Sequence, residues 1–265
     1  MELYEKDNYT SDYTSIISSY IREYDISKAN INILKENNCI TDETYNWLLS
    51  ISKINREIYI GMMMKNNPNI SEILSKGFLN ARKNLFEYNN IDSYSVLSIK
   101  KDAVYVIDKT LQYTQFGLIN FRLANVYTSF YKISGLEFYY NKEVLHVKGI
   151  NDEILDIYHK DYMLDLLMYI FDMAENNTLD DVLNQLSGLI VSYINLEFDI
   201  NYYRELNRES VYRLKYSNIT YDTHTIGLYQ MLNTDENKKA LDITYNYNLL
   251  CELYRIYLTR YFYKK

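Results

Sequence analysis

Two aspartates stand where aspartate does little for folding. Asp25 ends the extended run from Tyr20 to Ile26 just ahead of a helical stretch, and Asp102 follows Lys100-Lys101 between two strand-like halves. Aspartate is depleted in strands, so at a strand end it serves a turn, a cap or a metal. If the strand ending in Asp25 lies beside the hairpin carrying Asp102, both carboxylates reach one sheet edge. Mg²⁺ takes few carboxylates and leaves its other positions to water and substrate phosphates, so such a pair is chemically sufficient, with Mn²⁺ as an alternative ion. Two ions held this way activate an attacking hydroxyl and stabilise a leaving pyrophosphate. Lys53 and Arg56, three residues apart on one helix flank, can reach a single anionic ligand. The ordinary readings stay open beside these: a turn or cap for each aspartate, and a solvated helix face for the two cations.

Other chemistry is poorly represented. His146, His159 and His224 lack metal-ligand spacing, and Cys39 and Cys251 read as buried reduced thiols rather than a zinc pair or a disulfide framework. Neither a Gly-x-Ser-x-Gly elbow nor a phosphate-cradling glycine pattern occurs, which argues against hydrolase and P-loop chemistry. Matches to Asn-x-Ser/Thr at Asn69 and Asn218 follow from abundant asparagine, and Met62-Met63-Met64 reads as core packing.

The elements that must position these residues are punctuated by asparagine. With only 7 Gly and 1 Pro in 265 residues, turns fall to the next residue that tolerates left-handed backbone. Asn37-Asn38, Asn66-Asn67, Asn89-Asn90 and Asn176-Asn177 each follow a helical stretch. The expected helices run from about Lys28 to Glu36, from an N-cap at Thr41 through Trp47, Ile51, Ile54, Ile58 and Met62, and from Ser71 to Tyr88. From Tyr94 to Ile150 the pattern turns to β-branched and aromatic runs, with Ser134-Gly135 and Asn141-Lys142 as hairpin turns. One antiparallel sheet that also holds the segment before Asp25 is therefore expected. Beyond Asn151 the helical period returns, with a helix capped by Thr178 that carries Leu179, Val182, Leu183, Leu186, Ile190 and Tyr193, and a last helix from Glu236 to Tyr261. Residues 199–233 have no clear period. The expected class is α+β, an antiparallel sheet with flanking helices. Its parts are a tail (1–11), an α+β region (12–150) with a helical insert (41–90), and a helical C-terminal part (151–265).

The 48% hydrophobic and 24% charged content is that of a globular chain, and no apolar run is long enough to span a bilayer, so the expected setting is cytoplasmic. The 31 tyrosines, with abundant Asn, Ile and Lys, share AT-rich codons and point to a phage or low-GC bacterial genome, hence a host cytoplasm if phage-encoded. A net charge of −7 disfavours a global grip on nucleic acid and leaves room for a local basic groove.

The order of landmarks resembles the palm and thumb of family-B DNA polymerases of phages and viruses. Tyr24-Asp25-Ile26-Ser27-Lys28-Ala29-Asn30 is similar to that family's first motif, the helix with Lys53, Asn55, Tyr59 and Gly61 to its second, and Val96 through Lys100-Lys101-Asp102 to Val106 to its third. Tyr131-Lys132 and Lys148-Gly149-Ile150 fall where the family contacts template and primer. The resemblance implies that Asp25 and Asp102 are catalytic metal ligands, that Lys53, Arg56, Asn30 and Tyr59 meet a nucleoside triphosphate, and that Tyr131, Lys132 and Lys148 meet nucleic acid. Asn30 stands where the family places a sugar-discriminating tyrosine, which implies weak selection against ribose. Tyr59-Ile60-Gly61 replaces an adjacent Tyr-Gly, and Lys100-Lys101 replaces the first half of an Asp-Thr-Asp-Ser.

Three functions therefore stand: a compact template-directed DNA or RNA nucleotidyltransferase, a non-catalytic degenerate palm that binds nucleic acid or a replication or transcription partner, and a viral structural or adaptor protein. In the first two, a partner chain that completes the site is a further possibility, and no membrane is involved.

Overall fold

The structure, a computed structural model, describes residues 2–149, 160–203 and 243–264. Its strands there are β1 (Asn8–Thr10), β2 (Ser15–Ile16), β3 (Ile21–Ile26), β4 (Val96–Lys100), β5 (Ala103–Ile107), β6 (Gln115–Phe116), β7 (Ile119–Tyr127), β8 (Ser129–Ile133), β9 (Leu136–Tyr140) and β10 (Leu145–Lys148). The α-helices are α1 (Ala29–Glu36), α2 (Asp42–Ser50), α3 (Lys53–Asn66), α4 (Asn69–Asn89), α5 (Asp165–Asn176), α6 (Leu179–Ile194) and α7 (Ile243–Lys264). The class is α+β, as the change of period implies.

Packing divides the chain into Met1–Asp12 with Ser19–Val126, and Tyr13–Ser18 with Tyr127–Lys265. The division thus falls at Val126 rather than at residue 150, and the strands expected to form one sheet form two. The first unit holds the order β1-β4-β5-β3-β7-β6, and the second holds β10-β9-β8-β2.

In the first unit, β3 runs antiparallel to β5 with Asp25 opposite Ala103. Lys100 pairs with Ala103 across the β4–β5 hairpin, leaving Lys101-Asp102 as a two-residue turn with Lys101 in the left-handed region at φ 51. On its other side β3 meets β7: the Ser27 N–H donates to Asn120 O, Asp25 pairs with Arg122, and Asn125 donates to Glu23. These partners run in opposite order, so β7 is antiparallel to β3. Tyr24, Ile26, Val104, Val106 and Phe121 share a core with Leu34, Leu74, Phe78 and Leu85 from the helices. Each such side chain contributes roughly 1.5–3 kcal/mol when fully buried.

The asparagine pairs do end helices, by two routes. Asn38 and Asn90 take the left-handed conformation at φ 52 and 48, and the Asn90 N–H closes α4 on the Phe86 and Glu87 carbonyls. Asn67 and Asn177 instead leave their helices in extended conformation.

The expected helix from Thr41 through Met62 is two helices. Ile51 is extended, and the Ser52 hydroxyl accepts from the Asn55 N–H to cap α3. The apolar spacing continues across this break without forming one buried stripe: Trp47, Ile54, Ile58 and Met62 are exposed, and Leu48 and Ile60 are the buried residues of the pair. Met64 is likewise exposed, and of the three methionines only Met63 packs against the core.

In the second unit the Ser134-Gly135 hairpin turn has both residues at positive φ, the geometry that matches strand twist. Its core is aromatic. Tyr131 lies flat on Phe171 with ring centroids 4.1 Å apart, and Phe138, Tyr140, Leu186 and Tyr257 surround them. The helix capped by Thr178 forms as expected. The last helix is described from Ile243, and Glu236 to Asp242 lie outside the described residues, as do residues 204–233 of the segment without clear period; Ile200–Tyr203 form a 3-10 turn. Cys39 and Cys251 are free and half-buried rather than buried. No helix among the described residues is long and apolar enough to cross a membrane.

Candidate functional site

At the end of β3 the chain turns directly into α1 through Ser27 and Lys28, and the turn of the β4–β5 hairpin lies alongside: the Ile26 N–H donates to the Asp102 carbonyl at 3.0 Å. A cleft of about 330 Å³ opens there. Its charged lining is Lys28, Lys53, Arg56, Lys101 and Arg122 against Asp25, Glu57 and Asp102, with Asn30 and Phe78 also in the wall. Five residues singled out in the sequence, Asp25, Asp102, Asn30, Lys53 and Arg56, therefore line one cavity although they span 78 positions of the chain.

The excess of cations is local, since the chain as a whole carries −7. Two helices start at this cleft, and neither has an acidic residue in its first turn. Lys28 is the N-cap of α1, and Lys53 opens α3 with Arg56 one turn on. A cation beside the positive end of a helix dipole opposes helix stability by a few tenths of a kcal/mol or more, so folding alone does not favour this placement. Two of the lysines add backbone strain. Lys28 at φ 53 and Lys101 at φ 51 occupy the left-handed region, which costs a residue with a Cβ roughly 1 kcal/mol.

The individual partners differ. Asp25 is the most tightly held: Arg122 Nε donates to its Oδ1 at 2.6 Å and Arg122 Nη2 to its Oδ2 at 2.9 Å, a bidentate fork. The carboxylate raises the guanidinium pKa above its ordinary value, chiefly through the hydrogen bond and then through charge, so Arg122 stays fully protonated. Arg56 Nη1 donates to the Ile51 carbonyl and so also closes the end of α2. Asn30 Nδ2 donates to Glu57 at 3.0 Å, while its Oδ1 is buried and accepts nothing from the described residues. The Lys101 ammonium sits 5.0 Å from the Phe78 ring centre. Asp102 is exposed at the turn.

This turn is anchored from below by Arg82, which is 1% exposed. Its Nη1 donates to the Lys101 carbonyl, its Nε to the Tyr4 carbonyl and its Nη2 to Asp7 Oδ1, while the Lys101 N–H donates to the Asp7 carbonyl.

The other expected contacts lie elsewhere. Tyr59 packs edge-on against Trp47 and is not in the cleft wall. Tyr131 is fully buried in the second unit, where Tyr257 donates to its hydroxyl, which leaves it no surface to offer nucleic acid. Lys132 is exposed, Lys148 is half-buried, and both lie opposite Glu137 in the second sheet. His146 bonds through Nδ1 with the Tyr127 hydroxyl, and His159 and His224 lie outside the described residues.

Asp25 and Asp102 line the same cavity, yet the donor set fits a divalent cation poorly. Both Asp25 oxygens already accept from a guanidinium whose charge would repel an ion there. Glu57 is bonded to Asn30, and no cluster of three or more His, Cys, Asp or Glu side chains suited to a metal occurs among the described residues. Sequence reasoning missed Arg122. Its only signal was a cation on the polar side of the alternating run Ile119-Asn120-Phe121-Arg122, and that pattern is shared by ordinary solvent-facing strand residues.

No functionally curated protein matches the chain. Over residues 1–259, nearly its whole length, the chain matches the family described as the bacteriophage PBS1 gene 130 protein, and it belongs to that phage family.

Proposed function

We propose that this phage protein is a palm-like, non-catalytic nucleic-acid-binding protein whose cleft between the ends of β3, the β4–β5 turn and the starts of α1 and α3 takes backbone phosphates. The observation that carries this reading is the convergence of Lys28, Lys53, Arg56, Lys101 and Arg122 on one cavity of an acidic chain. Two helix N-termini add the positive ends of their dipoles, a natural setting for phosphate. The one aromatic residue in the wall, Phe78, is 2% exposed and offers no stacking platform, so the contact is to backbone and independent of base sequence.

Fluorescence anisotropy with a labelled single-stranded oligonucleotide over a salt series tests this. Binding should weaken with salt at a log–log slope of about −2 to −3, as for three to four phosphates on a single strand. Lys53→Glu should weaken it at least tenfold at low salt. Absence of binding at low salt, or salt-independent binding, overturns the reading.

The presence of both Asp25 and Asp102 in the cleft wall favours a second reading, a template-directed nucleotidyltransferase. Primer extension in Mg²⁺ or Mn²⁺ that Asp102→Ala abolishes would establish it and overturn the non-catalytic one.

A further inference from the structure

We infer that Arg122 is the resident cation of the cleft. It takes the carboxylate that a divalent ion would need and binds ligand phosphate itself, so that binding requires no metal. The inference rests on the reading of the cleft as a phosphate site and assigns its chemistry to a residue outside every sequence motif considered above.

The geometry is that of a held donor. A guanidinium has five N–H groups, and Arg122 commits its Nε–H and one Nη2–H to Asp25. Three N–H donors remain, on a side chain that is 62% exposed while Asp25 is 25% exposed. The fork fixes the plane of the guanidinium, and planar, bidentate recognition is what suits arginine to phosphate. Asp25 is then a positioning residue whose own charge repels the ligand. The strand pairing explains the arrangement: β7 lies beside β3 with Arg122 level with Asp25, while β5 brings Asp102 to its other side. A divalent ion on the Asp25 carboxylate would meet the guanidinium, with Lys53, Lys101 and Arg56 in the same wall.

The test is calorimetric titration of the full chain with inorganic tripolyphosphate, in EDTA and again in Mg²⁺, together with a Mn²⁺ titration followed by electron paramagnetic resonance. Affinity in EDTA should equal or exceed that at matched ionic strength in Mg²⁺, which chelates the free polyphosphate and lowers its charge, and no Mn²⁺ should bind the protein below millimolar concentration. Arg122→Ala should lose at least tenfold in EDTA. Asp25→Asn, which removes a repelling charge, should bind tripolyphosphate about threefold more tightly. Far-ultraviolet circular dichroism of both variants checks that they fold, and the wild-type measurements stand without them.

Tripolyphosphate binding that needs Mg²⁺, micromolar Mn²⁺ binding, or unchanged or weaker affinity in Asp25→Asn overturns the inference. If the oligonucleotide binds and tripolyphosphate binds only with Mg²⁺, the inference alone fails. If tripolyphosphate binds in EDTA and the oligonucleotide does not, the nucleic-acid reading alone fails.

Discussion

Replacing Arg82 should damage the first unit more than replacing any cation in the cleft. Its side chain is 1% exposed and makes three charge-assisted contacts, to the Tyr4 and Lys101 carbonyls at 2.9 and 2.7 Å and to Asp7 at 2.7 Å. Arg82→Ala strands two carbonyls at about 1–3 kcal/mol each and removes the packing of the side-chain stem. Asp7 is 60% exposed and regains water, so its share is small. The sum is about 3 kcal/mol, within the range for breaking a buried ion pair. With a urea dependence of about 2 kcal/mol per molar, the midpoint should fall by about 1.5 M.

The single tryptophan, Trp47, lies in the first unit, so its fluorescence follows that unit's unfolding. Arg82→Lys keeps the charge but cannot reproduce the fork, and should lie between, at roughly 1–2 kcal/mol. Arg122→Ala provides the contrast: its ion pair is largely exposed, and its loss should shift stability by less than about 1 kcal/mol. Comparable midpoints for Arg82→Ala and Arg122→Ala would refute the reasoning, because they would mean that water replaces the buried contacts at no cost.

Phe171→Ala should destabilise the second unit by about 3–5 kcal/mol, since a fully buried ring stacked on Tyr131 leaves a large cavity; loss of aromatic near-ultraviolet dichroism at lower urea checks it. Alkaline titration should show the same core from another side. Burial holds the Tyr131, Tyr140 and Tyr257 phenols above their ordinary range and raises Tyr203 to about 12. A raised folded pKa means that this stability is complete below the unfolded value near 10 and is lost as pH rises through the folded one, so absorbance at 295 nm should show these groups ionising together with unfolding, at higher pH than the exposed tyrosines, rather than one by one near 10. On the exposed face of α3, Ile58→Lys should change stability by no more than about 0.5 kcal/mol in chemical denaturation, which separates this stripe from a core helix.

The parts of the fold legible in the sequence are those fixed by neighbouring residues. Thr41 and Thr178 cap helices because a hydroxyl before an acidic first turn satisfies orphan N–H groups wherever the helix lies. Asn38 and Asn90 take the left-handed ends that glycine was too scarce to supply. The break at Ser52 was hidden, because an apolar period persists through an extended residue as readily as through a helical one, and only the cap itself marks the interruption. The separation of the two sheets was hidden as well. β7 ends at Tyr127 and β8 begins at Ser129, and a single residue between two aromatic strands gives no sign that the chain changes sheets.

Tyr131 and Arg122 show the same limit at the level of function. Tyr131 sits beside an exposed lysine in an alternating strand, and alternation shows that the two point to opposite faces without saying which face another layer covers. Phe171 and Tyr257 cover that of Tyr131, and both lie far along the chain. Asp25 could be singled out because a carboxylate at a strand end departs from the local rule. Arg122, 97 residues later, obeys its local rule, and only the pairing of β7 with β3 makes it the partner of Asp25. Local anomaly thus pointed to the cleft, while the partner that holds Asp25 there is a residue with no anomaly at all. A carboxylate pair alone suggests a metal centre; the same pair with a guanidinium already locked to one member is better suited to hold phosphate than to hold an ion.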